Sequence, residues 1–169
     1  MKKLNALQRS LVIFTFFFGI IVNFTFGQTP EQRISNYFAQ SDQSIKKDNW
    51  FVKDQYEDKK RGLSYAYLQQ QHQSIPVYNA ISTFVLTEKE VRNSGNRFVI
   101  DLDEKVNTVH PTISSLEAVN ITADYLELSS NQDIQVLEET DKYGRYSSAI
   151  SREEIPVNLM LFPFGNEVR

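Results

Sequence analysis

Apolar and polar residues alternate along 62–80, GLSYAYLQQQHQSIPVYNA, and the rest of the chain reads as elements packed onto this stretch or extending it. On its first arm Tyr65, Tyr67, Gln69 and Gln71 project one way and Ser64, Ala66, Leu68 and Gln70 the other. That is the two-residue period of a pleated strand. Gln73-Ser74 reverses the chain, and on the returning arm Ile75, Val77 and Asn79 alternate with Pro76, Tyr78 and Ala80. Glutamines in mid-strand predict an antiparallel sheet with one wetter face, because parallel sheets bury both. AISTFVL prolongs the second arm, with Phe84 and Leu86 on one side and Val85 on the other. Residues 87–96 hold a turn and a connecting strand, and Gly95-Asn96 marks a turn or bulge. Phe98, Ile100 and Leu102 then alternate with Val99, Asp101 and Asp103 as a further strand.

Ahead of the hairpin, Thr29-Pro30-Glu31 opens a helix that places Ile34, Tyr37 and Phe38 on one stripe. Trp50-Phe51-Val52 starts a short strand, its two aromatics read as core or hairpin-covering residues. The DKKR run before Gly62 is a solvated turn. Residues 28–105 are thus expected to form a helix against about four antiparallel strands. Residues 106–112 read as a hinge, with Pro111 blocking a continuing strand. Ser114 with Glu117 predicts a reciprocal capping box, and Ala118, Ile121, Tyr125 and Leu128 recur on one helical face, widened by Val119, Ala123 and Leu126. Strands are expected at 134–137, 146–150 and 155–162. The predicted fold class is α+β: two small units, 28–105 and 106–169, each a helix on an antiparallel sheet. The apolar strand ending at Phe162 has only Glu167-Val168-Arg169 to pair back, which predicts a bare edge and a chain that continues in a longer protein.

Residues 1–27 change the picture of where the chain works. Lys2, Lys3 and Arg9 precede the apolar run LVIFTFFFGIIVNF, and Thr25 and Gly27 occupy the small-residue positions of a cleavage site. This is an export signal, with a retained anchor as the alternative, and either one takes the chain out of the cytoplasm. After cleavage no stable membrane association is expected. The whole chain carries a net charge of -3. Removing these three cations, with no anion among them, gives -3 - 3 = -6 for residues 28–169, which disfavours nucleic acid and anionic membranes as partners. No cysteine is present, so stability outside the cell rests on burial and not on disulfides.

Candidate chemistry is sparse. A zinc peptidase needs two histidines one helical turn apart with a glutamate beside the first, HExxH. His72 and His110 lie far apart in sequence, and no serine sits in a glycine-flanked elbow. No catalytic, cofactor or metal residue is expected. Gln69, Gln70 and Asn79 remain as polar residues that either brace the hairpin through their amides or sit on its wet face. Ile75→Asp and Tyr67→Asp are expected to place a charge in the hairpin's apolar face.

The stretch 62–80, with GNRFV at 95–99, resembles the propeptide domain of fungalysin-type secreted zinc metallopeptidases, the fungalysin/thermolysin propeptide. That family's pattern is G-x-T-H-x-Y-x-Q-Q-x-x-x-G-I-P-V-x-N-A. Gly62, Tyr67, Gln69, Gln70, Ile75, Pro76, Val77, Asn79 and Ala80 stand on its marked positions, and Gly95 and Asn96 on its glycine turn. Tyr65 stands where the family has histidine, and Ser74 where it has glycine. WFVKDQY is similar to the family's leading strand. Residues 106–169 resemble a PepSY-like second propeptide module. The resemblance implies a pro-region that inhibits and helps fold a zinc peptidase by covering its cleft. The partner would be that catalytic domain, in cis or trans, with zinc confined to it. A stand-alone secreted inhibitor or binding module and an inert remnant are the alternatives.

Overall fold

In the computed structural model, the residues described are 27–41, 45–128, 133–165 and 167–169. The expected leader, 1–27, lies outside them except for Gly27. Among the described residues no helix is long and apolar enough to cross a membrane.

Helix α1, Pro30–Gln40, begins where the sequence places it. Thr29 Oγ1 accepts the Gln32 N–H and Gln32 Oε1 accepts the Thr29 N–H, so two orphan donors are satisfied reciprocally. Its buried residues, Ile34 and Phe38, pack on a four-stranded antiparallel sheet ordered β1 (Trp50–Asp58), β2 (Leu63–His72), β3 (Ile75–Leu86), β4 (Val91–Asn96). Phe38 is the hub of this core, with ring centroids 5.3 Å from Phe84, 5.8 Å from Trp50 and 6.1 Å from Phe98. Ala66, Leu68 and Leu86 complete it. Trp50 is therefore core, whereas Phe51 faces outward. The DKKR loop is a solvent turn, its backbone held by Asp58, whose carboxylate accepts the Lys60 and Arg61 N–H groups.

Tyr65 and Tyr67 lie on the opposite face from Ala66 and Leu68, half-buried and stacked with Tyr56 at 4.6 and 6.4 Å. A charge at Tyr67 would consequently not enter the core, contrary to expectation, whereas Ile75 is fully buried. The strand expected through Phe98, Ile100 and Leu102 does not form. The chain leaves the sheet after Asn96, whose side-chain oxygen accepts the Phe98 N–H, and Leu102–Lys105 closes into a short helix, α2. Phe98 and Leu102 enter two different cores while Ile100 is exposed, so their alternation reflects two anchors on a loop.

Beyond residue 106 come α3 (Ser115–Tyr125), a three-stranded antiparallel sheet β5 (Gln135–Glu139), β6 (Tyr143–Ser147), β7 (Ile155–Asn158), and a terminal two-stranded ribbon, β8 (Pro163–Phe164) with β9 (Glu167–Val168). The α+β class holds. Ser114 caps α3 by accepting the Glu117 N–H at 3.1 Å, while the reciprocal box forms at α1 instead. Helix α3 is clasped to the sheet by a polar cluster. Fully buried Tyr146 donates to Glu139 at 2.7 Å, and Ser115 Oγ lies 2.5 Å from each of them. Those two hydrogen bonds hold the Glu139 carboxyl below its ordinary range. Gly144 is required here, since a Cβ would meet the Tyr146 ring at 2.7 Å and Ser115 Cβ at 3.1 Å.

The expected bare edge at 155–162 is divided in three. β7 pairs with β6, Leu161 leaves the module to pair with β3, and Phe162 exchanges backbone hydrogen bonds with Arg169. A second core results, drawn from both sides of residue 106: Ile75, Val77, Ala80 and Leu102 from one side, Leu161 and Val168 from the other. At the expected hinge, Val106 bridges Val168 and the Asn107 N–H donates to the Val168 carbonyl at 3.2 Å.

The hairpin tip has both Gln73 (φ 48°) and Ser74 (φ 63°) in the left-handed region, the backbone of a type I′ turn. A side-chain-bearing residue is strained there by roughly 1–2 kcal/mol, partly offset by the extra unfolded-state freedom of glycine. Ser74→Gly is expected to raise stability by about 1 kcal/mol, read as a higher urea midpoint at unchanged slope.

Candidate functional site

The residues singled out in 62–80 converge on one irregularity. Gln69 pairs with Ile81 and Gln71 with Pro76, so the four residues 77–80 of β3 stand opposite Gln70 alone. Asn79, at φ 56°, makes the excursion possible, because asparagine tolerates the left-handed region better than most residues. This bulge detaches carbonyl and amide groups from the ladder; those of buried Val77 and Ala80 need another partner, while Tyr78 and Asn79 are exposed. The Gln69 amide nitrogen donates to the Val77 carbonyl at 2.6 Å, to Ala80 at 3.1 Å and to Gln70 at 3.2 Å. On the outer side, the Tyr78 N–H donates to the Leu161 carbonyl at 2.7 Å and the Leu161 N–H to the Pro76 carbonyl at 2.9 Å. The bulge thereby creates the parallel bridge that ties the second half of the chain to the first.

Gln70 acts in the same way on another segment. Its amide donates to the Val99 carbonyl at 2.8 Å and accepts the Val99 N–H at 2.7 Å, a side chain standing in for a strand. Gln71 donates to the Asp48 carbonyl at 3.0 Å, beside the 3₁₀ turn Lys47–Asn49. His72 Nδ1 lies 3.0 Å from Asp103 Oδ1. Four consecutive side chains at the end of β2 therefore fasten four separate segments. Gln69 and Gln70 are 3% and 2% exposed, so they do not mark a wet face; their amides are buried because each is paired with backbone.

The remaining motif residues have local roles. Gly62 (φ 63°) closes the β1–β2 loop in the left-handed region. Ile75, Val77 and Ala80 are the hairpin's contribution to the second core, and Pro76 supplies the carbonyl that receives Leu161. Gly95 pairs with Thr83 beside a bulge at Ser94, has no positive φ and would meet nothing with a Cβ. Tyr67 is a member of the outer tyrosine stack. Asn96 ends β4. The sequence reading missed Val99, Leu161, Asp48 and Asp103, the other halves of these contacts. The one available signal was a run of three uncharged amides in a strand pattern.

Asp103 gathers Lys46 (2.6 Å), Asn49 (3.3 Å) and His72. The Lys46 hydrogen bond is the main reason its carboxyl lies below the ordinary value, with His72 and Asn49 adding to it against partial burial. His110 is exposed in the 106–112 segment. Among the described residues, no group of three or more His, Cys, Asp or Glu side chains is placed to hold a metal ion. Set against protein-family models, curated proteins and solved structures, the chain finds no match in any of the three comparisons.

Gln70→Leu removes both partners of the Val99 backbone and leaves a partly buried donor and acceptor unpaired. It is expected to cost about 2–4 kcal/mol in chemical denaturation, and a loss below about 0.5 kcal/mol would contradict the bracing role. Asp103 has a depressed folded pKa, so its contribution is present above its unfolded pKa and disappears as pH falls through the folded value. Its side chain is 37% exposed, which limits the contribution to about 1 kcal/mol or less. Asp103→Asn should lower the urea midpoint at neutral pH, and the difference from the unaltered chain should vanish in acid below the folded pKa.

Proposed function

We propose that this chain is the pro-region of a secreted fungalysin-type zinc metallopeptidase, an inhibitor and folding assistant that works by covering its partner's cleft. The observation that carries the reading is the use made of GLSYAYLQQQHQSIPVYNA. The stretch that resembles the propeptide motif is an antiparallel hairpin, and its two marked glutamines are spent on backbone bracing. Such residues are the signature of a shape, and a chain whose most distinctive motif fixes a shape is suited to occlusion. Occlusion needs a rigid, preformed surface more than reactive groups. Export by the leader, zinc held only by the partner domain and no cofactor of its own belong to the same reading.

Joined to its partner, a pro-region acts at an effective concentration on the order of mM, so weak intrinsic affinity suffices. The chain added in trans to the catalytic domain of a fungalysin-type peptidase, up to about 100 μM, is expected to suppress peptide hydrolysis. Ile75→Asp, which puts a charge into the second core, should remove that inhibition together with the fold. Undiminished hydrolysis at the highest concentration of folded chain would refute the proposal.

A further inference from the structure

Helix α3 leaves two large apolar side chains facing outward. Of the expected apolar face, the widening residues Val119 and Ala123 are buried and Ala118 is half-buried, whereas Ile121 is 52% and Tyr125 85% exposed and Leu128, 40% exposed, lies beyond the helix end. The sheet beneath has three strands, and Val119 and Ala123 are the buried residues of the helix. This leaves Ile121 and Tyr125, one helical turn apart, and Leu126 (57%) and Leu128 just past the helix end as an exposed apolar patch among the described residues.

The charge around this patch is of one sign. Between Lys105 and Lys142 there is no lysine or arginine and there are seven acidic residues. Glu117 and Asp124 lie on the exposed side of α3 with Ile121, and Glu127 follows the helix. On the sheet beneath, Arg145 is already engaged by Glu138 at 3.6 Å and Glu154 at 3.3 Å. A second copy would bring one acidic border against another, and an anionic membrane would be repelled.

We infer that the patch formed by Ile121 and Tyr125 of α3 with Leu126 and Leu128 just after it is a docking surface for a protein partner that presents an amphipathic helix whose apolar stripe is bordered by lysine and arginine. Apolar side chains one helical turn apart, as Ile121 and Tyr125 are, pack into the groove between the side-chain rows of a second helix. Tyr125 is the anchor, a large and rigid side chain with a polar tip, of the kind that dominates such contacts. The basic border of the partner would meet Glu117, Asp124 and Glu127. This surface is argued from α3 alone and stands whether or not the chain is a pro-region.

The test uses the full chain and a synthetic peptide of about 18 residues, long enough to be helical, with leucines at helical spacing bordered by lysines. Saturable binding by titration calorimetry is expected, weakening several-fold as salt is raised past physiological strength. The Ile121→Ser/Tyr125→Ser double variant should bind at least tenfold more weakly. Glu117→Lys/Asp124→Lys, which leaves the patch intact, should also weaken binding several-fold and so guards against misfolding of the first variant. Absent binding, equal affinity of both double variants with the unaltered chain, or equal affinity for a scrambled peptide without amphipathicity would overturn the inference. So would sedimentation showing a dimer that Ile121→Ser/Tyr125→Ser dissociates, because the occupant would then be a second copy.

Discussion

The bulge at 77–80 is the feature on which the rest of the structure depends. Regular pairing would carry β3 past β2 with every backbone group satisfied by its neighbour strand. Three residues beyond the one-to-one register break that pattern, and at buried Val77 and Ala80 an unpaired amide or carbonyl costs roughly 1–3 kcal/mol. The Gln69 amide takes the inward carbonyls, and Leu161 takes the outward pair. The defect in one strand is thus the attachment point for the second half of the chain. Once attached, Leu161 and Val168 bury against Ile75 and Val77, and each large aliphatic side chain so enclosed contributes roughly 1.5–3 kcal/mol.

The run 69–72 extends the same logic sideways. Two alternating faces of one strand cannot ordinarily reach four segments. Here the bulge curls β3 around the strand end, so that both Gln69 and Gln70 are enclosed while Gln71 and His72 remain near the surface. Neutral amides suit the buried positions because each carries donor and acceptor together and no charge needs to be desolvated. The charged contact, Asp103 with Lys46, lies at the outer end where water screens it.

The two halves differ in how completely they bury their helices. α1 lays Ile34 and Phe38 into an aromatic core that includes Phe84, Phe98 and Trp50. α3 buries Val119 and Ala123 alone of its residues and is tied to the sheet at its first turn by the Ser115–Glu139–Tyr146 cluster. A polar clasp orients a helix without covering its other side, which is why the acid-bordered apolar patch of α3 stays in solvent.

Much of the local structure was legible in the sequence. The Thr29 cap, the 3.6-residue stripe of α1, the hairpin with its reversal at Gln73-Ser74 and the Ser114 start of α3 each follow from rules that act over a few residues. The sequence by itself also determined the α+β class and that Phe84 and Leu86 share one side of β3. Tertiary structure decided which glutamines are buried, which face of α3 is wet, that 98–102 is an anchored loop and that Leu161 completes β3. The physical reason is range. Propensity, capping and turn chemistry are settled between neighbours in the chain, whereas burial and the pairing of an amide with a backbone group depend on segments such as 99 and 161 that only folding brings into contact.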